Sequence, residues 1–340
     1  MNILHVNEFW APGGVETVIR NLVADAWYNP QVYVFNSNYA FPPPDCPFTV
    51  NNVMIPDRLT QWADIIHFHS PWHIGDYTKK NKVVVTSHNI SLPKGFDSRL
   101  LKDIDRVVTV SEASVNAIRR VVDEDFRLDV IPSGVDTKKI QQARGARVGW
   151  ADLLSMPDYG SIFLWVGRIG SHAKNFGLLL EIVQNTNFHF VVIGDEYLAG
   201  YEPGLSPQEV SLFNSLKTDG RISHMPYLSS GDLYSLYKSV DGVISTSRYE
   251  GFGLVIAEAM AAGQLVIVPD TPALNELVTT DSGILFRSDP CAHSWEGTFD
   301  LPEEEKNRRR ANAQKRAENW DIELVSDKYY KLYEEILCGS

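Results

Sequence analysis

Ser245-Thr-Ser-Arg-Tyr-Glu-Gly-Phe-Gly-Leu-Val-Ile-Ala-Glu-Ala-Met-Ala-Ala-Gly263 is the most informative run in the chain. The β-type residues 243–245 predict a strand that ends at about Ser245. A loop then carries Glu250, Gly251 and Phe252. A helix is expected to open at Gly253 and Leu254 and to carry Glu258. The first amides of a helix lack intrahelical partners and sit at the positive end of its dipole, which makes them a seat for a phosphate. Glycines there let a ligand come close to the backbone. Two carboxylates eight positions apart, one before that turn and one inside the helix, can each accept hydrogen bonds from hydroxyl groups. A surface loop with routine acidic residues is the alternative for any single piece of this pattern, but the whole run is specific.

Outward from this run, short apolar stretches alternate with helical periods in two series. Strands are expected at 163–166, 190–193, 243–245 and 265–268, with helices at 176–184, 207–217, 232–239 and 253–262 between them. An earlier series has strands at 3–7, 32–35, 65–68, 83–86 and 107–110. In it Val15, Val18, Ile19, Leu22, Val23 and Ala26 mark one face of a helix after Gly13-Gly14, and Ser111 serves as the N-cap of another. Near-continuous β-branched runs suit parallel strands buried on both faces. The fold class is therefore α/β, with two doubly wound sheets. Residues 133–157, polar and charged, read as a linker region holding one helix. A charged helix over 302–318 and a last helix over 322–337 close the chain, with Tyr329, Tyr330 and Tyr333 near the apolar side of the latter. Two such domains place a ligand site at the carboxyl ends of strands.

The chain has 340 residues, 44% of them apolar, and a formal net charge of -12. That charge argues against general nucleic-acid binding. It is unevenly spread: residues 1–145 hold 15 Lys+Arg against 16 Asp+Glu, and the remainder holds 16 against 27. Residues 79–106 are locally basic, with Lys79, Lys80, Lys82, Lys94, Arg99, Lys102 and Arg106. This stretch suits an anionic acceptor or a peripheral contact with lipid headgroups, or else it is a solvated loop. No apolar run approaches the length of a membrane helix, and the N-terminus lacks the pattern of a signal peptide. Cys46, Cys291 and Cys338 are read as free thiols, so the expected setting is cytoplasmic.

Through these residues the chain resembles the family 4, or group 1, retaining glycosyltransferases of the GT-B fold, with their Glu-x7-Glu pattern at Glu250 and Glu258. Further resemblance lies in Gly13-Gly14-Val15-Glu16, Ser87-His88-Asn89 after the fourth expected strand, residues 130–136, Val166-Gly167-Arg168 with Lys174, and Asn275-Glu276-Leu277-Val278. It implies two Rossmann-like domains facing a central cleft. Residues 1–145 would form the acceptor-side domain, joined by the terminal helix 321–340, and residues 146–320 the nucleotide-sugar donor domain. By resemblance, Arg168 and Lys174 offset the charge of the leaving diphosphate, as fixed cations must where no metal is present. Glu258 binds the ribose and Glu250 a hydroxyl of the transferred sugar. Gly13, Gly14, Gly251, Phe252, Gly253 and Leu254 line the donor, and His88 sits beside the sugar. The implied reaction transfers a hexose from a GDP- or UDP-linked donor to a saccharide, lipid-linked or small-molecule acceptor, with retention and without cofactor or essential metal.

The chain departs from the family at Lys174-Asn175, where Lys-Gly is usual, and at Thr271-Pro272-Ala273-Leu274, where a glycine pair is usual. The turn Gly170-Ser171-His172-Ala173 is also unusual. His67 and His69, near Asp64 and His73, invite a metal reading, but no cysteine or carboxylate pair completes it. Asp103-Ile104-Asp105 matches the metal motif of a different glycosyltransferase fold, yet here it precedes a strand. Arg308-Arg309-Arg310, on a helix with Glu303, Glu304 and Glu305, reads as a solvated face. A nucleotide-sugar epimerase or a phosphorylase shares the two-domain plan, although no pyridoxal lysine motif is evident. A dinucleotide oxidoreductase would need a G-x-G-x-x-G turn after a strand, and neither glycine loop supplies one. A catalytically dead binding protein sits poorly with intact Arg168, Lys174, Glu250 and Glu258.

Overall fold

The computed structural model describes residues 1–340 except 11–12, 25, 37–46, 51–53, 71–73, 79, 91–96, 121, 123–125, 158–159, 196–203, 288–298, 300 and 340. The chain divides into two compact units. The first holds Met1–Val135 and Trp320–Ser340, the second Asp136–Asn319.

The first unit contains β1 (Asn2–Phe9), α1 (Gly14–Ala24), β2 (Asn29–Asn36), β3 (Phe48–Val50), α2 (Asp57–Trp62), β4 (Ile65–Phe68), β5 (Lys82–Ser87), β6 (Arg106–Thr109), α3 (Glu112–Arg119) and β7 (Leu128–Val130). Its strands form one parallel sheet in the order β3-β2-β1-β4-β5-β6-β7. Burial explains the parallel arrangement: every described side chain of β4 and β6 is buried, so both faces need cover. Leu4, Val6, Ile66, Phe68, Val83, Val85 and Val107 build the core.

The second unit contains α4 (Thr137–Gln142), α5 (Arg147–Leu154), β8 (Ile162–Val166), α6 (Phe176–Gln184), β9 (His189–Ile193), α7 (Pro207–Thr218), β10 (Ile222–Met225), α8 (Ser230–Tyr237), β11 (Gly242–Ile244), α9 (Leu254–Ala261), β12 (Val266–Pro269), α10 (Leu274–Leu277), β13 (Ile284–Phe286) and α11 (Glu303–Ala317). The sheet order is β10-β9-β8-β11-β12-β13, again parallel. Phe163, Trp165, Leu179, Ile182, Phe190, Ile244 and Ile267 fill its core. Burying each such side chain contributes about 1.5–3 kcal/mol.

The last helix, α12 (Ile322–Cys338), returns to the first unit. Val135 N–H donates to the Trp320 carbonyl at 2.8 Å, and Ile322 N–H to the Val135 carbonyl at 2.9 Å, so the two chain crossings lie side by side. Gly134 packs closely on this helix: an added Cβ would meet the Ile322 side chain and lie 3.3 Å from Ile322 Cα and from Val325 Cβ. Tyr329 and Tyr333 are buried against the sheet.

Several expectations need correction. Residues 133–157 are not a plain linker: within them Thr137–Gln142 and Arg147–Leu154 form α4 and α5 of the second unit, with Ile140, Trp150 and Leu154 buried, and the boundary falls at Val135/Asp136 rather than at 145/146. β3, α2, β7, β10, α10 and β13 escape the periodicity because each is only three to six residues long. His88 consequently follows the fifth strand of the chain, not the fourth. Arg308 is exposed and paired with Glu305, but the rest of the triplet is not simply solvated. Arg309 also donates to the Gly283 carbonyl at 2.7 Å and Arg310 to the Asp241 carbonyl at 3.1 Å, tying α11 to the sheet.

Candidate functional site

In an open parallel sheet, ligands bind beyond the carboxyl ends of the strands where the strand order reverses. In the second unit that point is β8, flanked by β9 and β11. β8 runs into Gly167 and Arg168, and β11 runs into Ser245 and the loop of Glu250. Topology alone thus brings the two halves of the expected donor site together.

A tight turn carries Arg168 and Lys174. Ser171 N–H donates to the Arg168 carbonyl at 3.3 Å, and Lys174 N–H to the Ser171 carbonyl at 3.1 Å. Lys174 Nζ donates to Glu250 Oε1 at 2.6 Å, a short charge-assisted bond. Ser247 Oγ donates to the same oxygen at 2.7 Å. The two loops are fastened beneath this pair. Trp165 Nε1 donates to Thr246 Oγ1 at 3.0 Å, Thr246 Oγ1 to the Lys174 carbonyl at 2.8 Å, and Arg248 N–H to the Ala173 carbonyl at 2.8 Å. Arg248 also reaches Asn175 Oδ1 at 2.7 Å. The structure therefore brings Lys174 and Glu250 into contact and holds Arg168, which is exposed, in the same turn.

Asn175 has φ 50 and ψ 55, the left-handed region. That conformation suits glycine, and asparagine is the next residue to tolerate it, which accounts for the departure from Lys-Gly. Ser171 Oγ is buried and has no hydrogen-bond partner among the described residues. An orphaned buried hydroxyl is rare.

Gly251 is half-buried, and Phe252 is buried in front of α9. Gly253, at φ 99, begins the helix without a side-chain cap, and Leu254 is its first residue. A Cβ at Gly253 would lie 2.8 Å from Leu274 Cδ2, so glycine is required by both conformation and space. Glu258 is buried one turn on. Tyr237 on α8 donates to its Oε2 at 3.0 Å. Burial raises the Glu258 carboxyl to about 7, the tyrosine bond pulling the other way, while burial and Glu258 push the Tyr237 phenol well up. Tyr237, Ser247, Thr246 and Arg248 are not legible as site residues in the sequence. Each is an ordinary residue type: the roles of Tyr237, Thr246 and Arg248 depend on a partner from another element, and that of Ser247 on how its own loop folds.

In the first unit the order reverses at β1, flanked by β2 and β4. Gly13 and Gly14 follow β1 and start α1. The Gly13 carbonyl accepts from Thr17 N–H at 3.2 Å and Thr17 Oγ1 at 2.9 Å, and a Cβ on Gly14 would meet open space. Glu16 is buried with Asn7 Nδ2 at 3.2 Å. His88 follows β5, half-buried, with its Nε2 3.0 Å from His69 Nδ1, and desolvation lowers its pKa to about 4. His5, His67 and His69 lie close enough to hold a metal, although their ring nitrogens already have hydrogen-bond partners. His73 lies outside the described residues. In the basic stretch, Lys82 pairs with Asp105 and Arg99 with Asp97, while Lys79 and Lys94 lie outside the described residues.

The matches to known proteins agree with this geometry. Residues 155–320 match the model described as glycosyl transferases group 1, and residues 24–139 the model described as glycosyltransferase family 4. Together these spans cover well over half of the chain. The chain belongs to family 4 of the group 1 glycosyltransferases. Among curated relatives of this family 4 chain is the mannosylfructose-phosphate synthase of Agrobacterium fabrum, 23% identical over 62% of this chain and 50% of that protein. Another is the GDP-mannose:cellobiosyl-diphosphopolyprenol alpha-mannosyltransferase of Xanthomonas campestris, 27% identical over 67% of this chain and 61% of that protein. The chain thus spans about half the length of the curated relatives it matches. Sucrose-phosphate synthase from Thermosynechococcus elongatus superposes with a TM-score of 0.80 at 17% identity, covering 100% of both chains. Anabaena HepE in complex with UDP-glucose gives 0.81 at 18% identity, over 98% of this chain and 100% of that one. The fold is the two-domain α/β GT-B fold.

Proposed function

We propose that the protein is a retaining glycosyltransferase that moves a hexose from a GDP- or UDP-linked donor to a hydroxyl of a saccharide, lipid-linked or small-molecule acceptor. The observation that carries this reading is the Lys174–Glu250 pair at 2.6 Å, set beside a helix that opens on Gly253 without a side-chain cap. Lys174 and Arg168 supply fixed positive charge for a diphosphate as it leaves, and the first amides of α9 add to it. Glu250 can accept a sugar hydroxyl while Lys174 balances its charge. In this reading Glu258 accepts a hydrogen bond from the ribose. Gly13, Gly14 and His88 belong to the same reading as sugar and phosphate contacts. One relative's name specifies a GDP-mannose donor, and one solved relative holds UDP-glucose, which supports a nucleotide sugar without choosing the base. The epimerase alternative gains no support from these relatives.

The reading includes catalysis without an essential metal and a cytoplasmic setting, with any membrane contact made through residues 79–106. A thermal-shift panel of nucleotide sugars tests it, since a bound ligand raises stability by mass action. One GDP- or UDP-sugar should stand out, turnover should survive chelator, and the product's anomeric proton should show retention. No shift with any donor would sink the reading. Failure to sediment with anionic vesicles would remove the membrane contact alone.

A further inference from the structure

Four histidines of the first unit lie in one cluster: His5 on β1, His67 on β4, His69 just after it and His88 just after β5. Parallel register sets His5 opposite His67, and β4 and β5 are neighbours, so three segments far apart in sequence deliver imidazoles to one place. His67 forms its own branch, with Nδ1 2.7 Å from Tyr333 Oη and Nε2 2.7 Å from Thr86 Oγ1. The other three form a chain. Tyr28 Oη is 2.9 Å from His5 Nε2, His5 Nδ1 is 2.9 Å from His69 Nε2, and His69 Nδ1 is 3.0 Å from His88 Nε2. The His69 and His88 rings stack with centroids 5.3 Å apart. His5 and His69 are buried, whereas His88 is half-buried.

A neutral imidazole has one N–H and one lone pair, so each bond in such a chain fixes the next. The chain is anchored at one end. Tyr28 Oη lies 3.3 Å from the Leu22 carbonyl, which can only accept. The single phenol proton goes to that carbonyl, so the phenol oxygen accepts from His5 Nε2–H. His5 Nδ1 is then a lone pair and accepts from His69 Nε2–H. His69 Nδ1 in turn accepts from His88 Nε2–H. Burial keeps the rings neutral, lowering His5 to about 3 and His69 well below its ordinary value.

We infer that Tyr28, His5 and His69 act as positioning residues which hold His88 in its Nε2–H tautomer and leave Nδ1 as a pure hydrogen-bond acceptor for a ligand hydroxyl. Among the described residues His88 Nδ1 has no hydrogen-bond partner. The ligand half of this inference rests on the glycosyltransferase reading, and the tautomer half does not. A metal held by His5, His67 and His69 would have to break the His5–His69 bond, so the two arrangements exclude one another.

Long-range proton–nitrogen correlation of the imidazoles in the 15N-labelled full chain tests the inference at neutral pH without substrate. The expected result is Nε2–H for His5, His69 and His88. His69→Phe cuts the chain, and His88 should become a mixture of tautomers with about tenfold lower kcat/KM for the donor, the scale of one hydrogen bond. His69→Gln should restore both, because its amide donates towards His5 and its carbonyl accepts from His88. If His69→Phe fails to fold, Tyr28→Phe removes the anchor while keeping the ring, and His88 should again become a mixture. Finding Nδ1–H on His88 in the wild type would overturn the inference, as would an unchanged tautomer in both broken chains. So would movement of the His5 and His69 signals on adding one equivalent of zinc. Absence of transfer to any acceptor, with the tautomers as expected, would count instead against the glycosyltransferase reading.

Discussion

The two units bury ionisable groups by opposite means. In the first, His5, His67 and His69 are buried together and stay neutral, each nitrogen sharing a hydrogen bond with another ring or a hydroxyl. In the second, Glu250 is paired with Lys174, while among the described residues Glu258 has a phenol as its hydrogen-bond partner and is pushed up to about 7. A hydrogen-bonded set of neutral groups needs no counter-charge. A buried carboxylate needs one or gives up its charge. The units should therefore respond to pH in opposite directions.

The largest effect is expected in acid. His5 and His88 are lowered to about 3 and about 4 from 6.5. Between those values the unfolded chain binds protons that the folded unit refuses, so stability falls as pH drops from 6.5. The loss should reach several kcal/mol by about pH 4, since each tenfold change in a group's proton affinity corresponds to about 1.36 kcal/mol. Hydrogen exchange resolves it: amides of β1, β4 and β5 should lose protection first. In the second unit His189 is also lowered by desolvation, but its bond to the Gly220 carbonyl opposes the change. Equal loss of protection in both sheets would break the comparison.

Next in size is the charge pair. On the proposed reading Lys174→Ala removes a fixed cation from the leaving diphosphate, and it should lower turnover about 10²–10³-fold. Glu250→Ala should do likewise, and the double variant should lose much less than the product of the two, because each charge is held by the other. Steady-state transfer kinetics decide this. Independent, multiplicative losses would mean that the pair at 2.6 Å does not act as a unit.

Glu258 gives an effect of similar scale and opposite sign to the histidines. Its folded pKa, about 7, lies above the ordinary 4.5. The folded unit holds a proton that the unfolded chain releases, so stability falls as pH rises from 4.5 to 7 and then levels off. Glu258→Gln keeps an acceptor for Tyr237 and removes that slope. At pH 8 it should stabilise the ligand-free protein by about 3 kcal/mol while weakening donor binding, the usual conflict at a functional site. Denaturant midpoints at pH 5 and pH 8 measure it. A variant no more stable than wild type at pH 8 would contradict the raised carboxyl.

The pieces legible in the sequence are those coded locally. Glu250, Gly253 and Glu258 lie within one strand–loop–helix run, and helix α6 can be read at both ends because Phe176, Leu179, Leu180 and Val183 keep one face apolar. What is illegible depends on register. His67 and His69 show as an alternation, but nothing in the chain says that His5 lies across from His67 or that His88 meets His69. Tyr237 reads as one more apolar position of a short helix, and only packing reveals that it serves Glu258. The two helices inside 133–157 are hidden by polar composition, since α4 offers only Ile140 and Thr137 to the core.

The smallest effect concerns where strain is stored. Among the described residues, the non-glycine residues at positive φ are Ser155, Asn175 and Ala273, all in the second unit. Ser155 ends a helix and Asn175 suits its conformation, but Ala273 at φ 69 and ψ -44 does not. It lies near the strained γ-turn region, within the stretch from Thr271 where a glycine pair is usual in the family. Such a residue costs about 1–3 kcal/mol. Ala273→Gly relieves that, loses about 0.8 kcal/mol of buried methyl and adds about 0.4–1 kcal/mol of unfolded-state entropy. The terms nearly cancel, so its stability should stay within about 1 kcal/mol of wild type. Ala259→Gly, equally buried but inside α9, has no strain to relieve and should cost about 1 kcal/mol of helix propensity on top of the lost methyl. Equal losses in the two variants would mean that the Ala273 turn is unstrained. A difference would locate the cost of shaping the loop that packs against Gly253, because Leu274 and Leu277 fill the space a side chain there would need.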